Sequence, residues 1–165
     1  MRFFFLGSIL CLFTLIGILI QSHYKSRKRF FDDLISFCNH LSVEINFSKN
    51  TVAQIIDRYS DSYAKHFDEV IKNYANLQTA NADITYDTIQ SFMWRRLKKH
   101  ESSVISDFFY ELGRHGVSEE TQKLENGLVR FDRFLVDSTS DMTRKASIYM
   151  KLSIILGIGV VVLIW

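Results

Sequence analysis

Apolar and polar positions divide this chain into three unlike stretches. From Phe3 to Ile20 eighteen residues pass without a charge, and the fourteen after Lys151 are all apolar or small. Between these ends apolar residues recur three and four apart, the spacing of one face of an α-helix. Phe30, Leu34, Phe37, Leu41 and Ile45 mark such a face, and no glycine or proline interrupts Ile18 to Asn50. The first helix is therefore expected to run well beyond its apolar start. Val52, Ile55, Ile56 and Tyr59 form the face of the next helix. Either Asn50 or Thr51 caps it, and Gln54 can complete a capping box with Thr51. After a polar break at Ser60 to Ser62 come Phe67, Val70, Ile71 and Tyr74. A loop over Gln78 to Asp83 leads to a helix carrying Ile84, Ile89, Phe92, Met93 and Leu97. The next helix carries Val104, Ile105, Phe108, Phe109 and Leu112, and Gly113 and Gly116 suit its C-terminal turn.

The last helix is the most regular. Ser118 is placed to cap it, with Glu119 and Glu120 at the positive end of its dipole. Leu128, Leu135, Met142 and Tyr149 repeat every seven residues, as do Leu124, Phe131, Ser138, Lys145 and Leu152. A seven-residue stripe predicts supercoiled packing against another long helix, within the chain or between copies. The fold class is all-α. Two long antiparallel helices continue into N- and C-terminal membrane segments, with a small helical head between them.

Composition supports this picture. Proline is absent, only seven glycines occur, and the net charge is +2. Long uninterrupted helices follow from the first two facts, and a nucleic-acid-coating surface is disfavoured by the third. Cys11 and Cys38, one in the apolar start and one in a helical pattern, do not form a disulfide framework.

Charge then orients the apolar ends. Only Arg2 precedes the first, no convincing cleavage site follows it, and Lys25, Arg27, Lys28 and Arg29 come next, as for an uncleaved anchor. Arg144, Lys145 and Lys151 precede the second. Both inner flanks are basic, so the middle of the chain is expected in the cytoplasm and both termini on the far side. The fourteen-residue tail reaches only about 21 Å of a hydrocarbon core about 30 Å thick. Extended back to Ala146 it has twenty residues, with Lys151 snorkelling to the headgroups and Trp165 at the opposite interface. The expected division is an anchor at 1–20, a cytoplasmic helical-bundle domain at 21–151 and a short membrane segment at 152–165. The final helix runs continuously from about residue 118.

Sites of chemistry are not apparent. The five histidines are scattered without metal-ligand spacing, and P-loop, dinucleotide, HExxH and GxSxG motifs are missing. Neither an enzyme nor a cofactor is expected. Glu44 borders the first apolar face, as a carboxylate neutralised by a nearby cation or as a partner contact. "WRRLKKH" concentrates Arg95, Arg96, Lys98 and Lys99, as a solvated helix C-terminus or as a contact for an acidic partner or anionic lipid. Ser8, Cys11, Thr14 and Gly17 in the first membrane helix, and Ser153 and Gly157 in the second, fit close helix packing.

The order of these elements resembles the stage III sporulation protein AB family over nearly the whole chain. The likeness is carried by the leading anchor with Gly17 near its inner end, the basic helix, Leu41, Glu44 and Ile45 as L-x-x-E-I, the "ELGRHGVSEETQK" stretch, and Tyr149, Leu152 and Gly157 in a short apolar tail. Ser42 stands where the family usually has a glutamate, proline is missing after the cap, and the family's turn glycine aligns with either Gly113 or Gly116. The resemblance implies a membrane component of the channel joining mother cell and forespore. It further implies a soluble part similar to the inner-membrane platform protein of type II secretion systems. The implied protein is a non-catalytic platform in the mother-cell membrane that docks a cytosolic secretion-type ATPase. A double-anchored coiled-coil tether or signalling adaptor, unrelated to sporulation, is the alternative.

Overall fold

The computed structural model describes residues 2–47, 52–59, 61–80, 84–114 and 116–164. The proposed caps Asn50 and Thr51, Ser60 of the polar break, residues 81–83 of the following loop and the interfacial Trp165 lie outside them. The described residues are all-helical, in the order α1 (Arg2–Phe47), α2 (Val52–Tyr59), α3 (Lys65–Thr79), α4 (Tyr86–Ser91), α5 (Lys99–Glu111), α6 (Val117–Asp141) and α7 (Ser147–Ile164). A π-helical turn, Met142–Ala146, joins α6 to α7. The chain divides into two compact units, Arg29–Leu135 and Met1–Lys28 with Val136–Trp165.

The Arg29–Leu135 unit is built around aromatic side chains of α1. Phe30, Leu34, Phe37 and Leu41, all expected on that face, are buried, and Phe31 and Cys38 join them. The face is thus wider than one stripe, because helices cover α1 on more than one side. Phe37 meets Phe67 of α3, Phe109 of α5 and Tyr63, with ring centroids 5.7, 6.2 and 6.3 Å apart. Leu124, Phe131 and Phe134 of α6 complete the core. The polar break after α2 is real. Asp61 takes a positive φ of 68°, and its backbone N–H donates to Asp68 Oδ1 at 3.1 Å.

One expected helix is divided. Residues Tyr86–Ser91 form α4, but Phe92 leaves the helix and α5 begins only at Lys99. The backbone turns where Leu97 N–H donates to Trp94 O, and Met93 and Leu97 are buried there. Lys98 and Lys99 therefore stand at the start of a helix. That corrects the expectation of a cationic C-terminus.

The other unit brings the N-terminal part of α1 against α7. Gly17 lies beside Met150 and Ser153, and a Cβ on Gly157 would stand 3.0 Å from Phe13 Cβ. Tyr24 stacks on Tyr149 with centroids 6.5 Å apart, and Arg27 bonds Asp141 at 2.8 Å. Partner numbers fall on one helix as they rise on the other, so the segments are antiparallel. Gly17, Ser153 and Gly157 occupy the contact, as the small-residue spacing predicts, whereas Ser8 and Cys11 are exposed. Most apolar side chains here face outward, including Leu12, Leu15 and Leu19 on α1 and Ile155, Leu156 and Ile158 on α7.

The π-helical turn explains a break in the seven-residue pattern. Leu124, Phe131 and Ser138 are buried as the repeat requires, but the next buried residue is Ala146, not Lys145, followed by Ser153. A π turn accommodates one extra residue. It moves Lys145 into solvent and keeps the small residues of α7 on the packed face.

Candidate functional site

The charged groups singled out in the sequence gather in three places. In the unit containing both chain ends, Arg27 and Asp141 are both largely withdrawn from solvent, and Lys145 Nζ reaches the other Asp141 oxygen at 2.7 Å. The carboxylate accepts from one cation on α1 and one in the π turn, while Tyr24 and Tyr149 stack nearby along the chain. Arg27 is thus a pinned structural cation. Lys25, Arg144 and Lys151 are exposed and Lys28 is half-buried; Arg29, in the other unit, is exposed.

The second place is the basic loop between α4 and α5. Trp94 stacks on Phe30 with centroids 5.6 Å apart and on His66 at 4.6 Å. Glu101 accepts from Lys98 N–H at 2.9 Å and fixes the start of α5. Apolar anchors before and within the loop hold Arg95, Arg96, Lys98 and Lys99 at the surface, where all four are exposed. Glu44, the other partner candidate, is buried instead. It accepts from Arg58 at 2.6 Å and from the Tyr59 hydroxyl at 3.4 Å, leaving the Arg58 side chain partly exposed. At 2.8 Å from Tyr63, His40 stacks on Tyr59 with centroids 4.3 Å apart. Burial, reinforced by Asp33, pushes the Tyr63 hydroxyl well above its ordinary range, so it stays protonated in this cluster.

The third place is the turn after α5. Gly113 has φ +79° and Gly116 has no positive φ, so Gly113 carries the turn. Its N–H donates to Glu120 Oε1 at 2.8 Å. The α5 end is tied down further by Tyr74, whose hydroxyl donates to Leu112 O at 3.1 Å and accepts from Gln78 at 2.9 Å. Burial raises the Tyr74 hydroxyl pKa, and the bond from Gln78 opposes the rise. At the start of α6 the geometry corrects the expected cap. The helix begins at Val117, with Ser118 inside it, and Gly116 O accepts from Glu120 N–H at 2.9 Å. Glu119 and Glu120 do stand in the first turn, as their charge predicts.

Replacing Gly113 with alanine is expected to cost about 1–2 kcal/mol, because an L-residue pays that to hold the left-handed conformation. A Cβ there meets Val52 only at an ordinary 3.6 Å, so the cost comes from the backbone. At Gly116 a Cβ meets nothing within 4 Å. Urea unfolding should separate the variants, and equal midpoints for Gly113→Ala and Gly116→Ala would contradict this assignment.

Two residues of this region carried no clear signal in the sequence. Glu120 looks like a dipole partner, yet it is buried and braces the preceding turn. Gly127 looks incidental, yet a Cβ there would press to 3.3 Å on Phe108. Both roles depend on the return of α6 along α5, which no local pattern encodes.

These features define an all-helical protein with two helices long and apolar enough to cross a membrane. Among the described residues no group of three or more His, Cys, Asp or Glu is placed to hold a metal ion. The chain belongs to the stage III sporulation protein AB family, whose model matches residues 2–165. It is also 24% identical over 115 residues to dynamin-related protein 5A and 23% identical over 115 residues to dynamin-related protein 12A, both from Glycine max. Each of those matches takes in 70% of this chain and 18% of the relative's length. No solved structure matches it.

Proposed function

We propose that this protein is a non-catalytic membrane scaffold of a sporulation-specific, secretion-like channel complex between mother cell and forespore. Residues 21–151 form its cytoplasmic domain, which docks a cytosolic secretion-type ATPase and organises neighbouring membrane subunits. The observation that carries this reading is the family match across residues 2–165. Two apolar terminal helices support the membrane role. The basic inner flanks support the orientation, since cytoplasmic segments beside a span are enriched in Lys and Arg. In this reading α7, Ser147–Ile164, crosses the membrane. Its eighteen residues rise about 27 Å, close to the hydrocarbon thickness.

The test is recovery of the ATPase with the full-length protein from detergent extracts of sporulating cells. Co-purification is expected, and repeated failure under conditions that retain other membrane subunits would remove the docking role. Reversing Arg95, Arg96, Lys98 and Lys99 together to glutamate should lower ATPase recovery by about tenfold, the scale of removing close charge pairs from an interface. Unchanged recovery and unchanged membrane association would return the loop to a solvated surface.

A further inference from the structure

The basic loop between α4 and α5 is fixed at the end of the Arg29–Leu135 unit where the chain enters and leaves it. Trp94 stacks on Phe30, the second residue of that unit, with ring centroids 5.6 Å apart. Beyond the loop, His100 meets Phe134, the last residue but one, at 5.7 Å, and Phe134 meets Phe31 at 5.6 Å. Arg95, Arg96, Lys98 and Lys99 are exposed between these two contacts. From Phe92 to His100 the sequence holds no carboxylate. On the elements packed against the loop, Asp33 accepts from Ala64 N–H, Asp68 pairs with Lys72, and Glu101 accepts from Lys98 N–H. Asp32 on α1, Glu69 on α3 and Asp132 on α6 are matched by Arg29, Lys65 and Arg133 on the same helices. Asp87, in the first turn of α4, is outnumbered by the four loop cations. Lys98 and Lys99 also open α5, at the helix end that favours anions.

The charge-free run Phe3–Ile20 ends ten residues before Phe30, and both lie in α1. Ten helical residues rise about 15 Å. With Ile20 at the edge of the hydrocarbon, the headgroup layer takes up about 5–8 Å of this rise. The remaining ~7–10 Å is close to the Debye length of about 8 Å at physiological salt, so cations at the level of Phe30 feel an anionic surface. Long arginine and lysine side chains shorten the gap further. A site for a soluble partner could lie on any face of this unit. The place of these cations, at the end joined to the apolar stretches, favours a lipid surface. Each Lys or Arg near such a surface strengthens the attraction about fivefold.

We propose that the α4–α5 loop is a contact site for anionic phospholipid headgroups, with Arg95, Arg96, Lys98 and Lys99 on the lipid phosphates. Trp94, stacked on both Phe30 and His66, is the rigid base behind them. Little freedom of that base remains to be lost on binding, and the two guanidinium groups can each hold a phosphate through paired hydrogen bonds. The inference rests on the reading of the terminal helices as membrane spans and does not require ATPase docking. An ATPase that reaches these cations does so at the bilayer surface.

The experiment uses the full-length Trp165→Phe protein, in which Trp94 is the only tryptophan. It is placed, without any ATPase, in nanodisc bilayers of phosphatidylcholine alone or of equal parts phosphatidylcholine and phosphatidylglycerol. Both bilayers carry the same small share of lipid with a nitroxide on its headgroup. Trp94 fluorescence should be quenched at least about twofold more in the anionic bilayer. Salt near about 1 M, where the Debye length is about 3 Å, should abolish the difference. Reversing Arg95, Arg96, Lys98 and Lys99 together to glutamate should abolish it as well, with the helical spectrum unchanged. Arg95→Gln combined with Arg96→Gln should remove part of it. Soluble glycerol phosphate, added at the concentration of the lipid phosphate, should not compete with headgroups that the bilayer presents together. Equal quenching in the two bilayers, as for a loop reserved for a soluble acidic partner, would overturn the proposal. So would an anionic excess that charge reversal leaves intact, or one that soluble glycerol phosphate removes. Those failures would leave the ATPase-docking reading standing, since no ATPase is present.

Discussion

Phe37→Ala should destabilise the Arg29–Leu135 unit by about 3–5 kcal/mol, the range for truncating a buried aromatic residue. Phe37 is fully buried, and its ring meets one aromatic residue on each of α3 and α5 and another in the turn before α3. Truncation removes those edge and stacking contacts as well as the burial itself. Rings held on rigid helices cannot readily collapse into the space. Phe134, at 8% exposure, lies nearer the surface, and its alanine variant should lose less. Near-UV circular dichroism of the full chain through a urea titration in detergent measures both. A Phe37→Ala loss below about 1 kcal/mol would mean that the site relaxes or the α1 face is not the core.

Asp141→Ala should be comparably severe in the unit that holds both chain ends, by about 3–5 kcal/mol. The reason is the opposite of cavity formation. Arg27 is 4% exposed and its guanidinium lies 2.8 Å from the Asp141 carboxylate. Removing the carboxylate takes a 2.8 Å ion pair from a buried guanidinium, whose desolvation that pair helps offset. Lys145, on the other oxygen, is half-exposed. Lys145→Ala should therefore cost under about 1 kcal/mol, as for exposed ion pairs. Leucine at both 27 and 141 should recover most of the Asp141→Ala loss, since an apolar pair has no charge to strand. Unfolding in mixed micelles, followed by circular dichroism, ranks the variants. A double substitution as damaging as Asp141→Ala alone would contradict the assignment.

Much of this architecture was legible because its signals are periodic. Phe30 through Leu41, Val52 through Ile56 and Phe67 through Tyr74 each declare a helix face in sequence, and each is buried. The small residues Gly17, Ser153 and Gly157 likewise mark a close contact. The misreadings arise where periodicity persists through a change of backbone. Ile89, Phe92, Met93 and Leu97 keep helical spacing, and no glycine or proline punctuates them. The burial of Ile89, Met93 and Leu97 nonetheless anchors a turn, and the following cations open α5. At the π turn, one extra backbone residue transfers the buried position from Lys145 to Ala146.

Polar partners were harder to read. Glu44 borders its helix face as expected, but its pairing with Arg58 is set by the fold of α2 beside α1. Glu120 has a local reason to stand in the first turn of α6, which conceals its bond to Gly113 across the turn. Ser118 has the chemistry of a cap, yet α6 starts one residue earlier. Local preference ranks such sites without accounting for the strand of chain that arrives from elsewhere.

The most direct measurement of the central claim is timed localisation of a functional fluorescent fusion in the source organism. The tag is joined to the N-terminus through a linker and chosen to fold outside the cytoplasm. Signal confined to the mother cell during engulfment and concentrated at the forespore membrane is the predicted result. Uniform membrane signal in vegetative cells would contradict the channel scaffold and favour a general membrane tether.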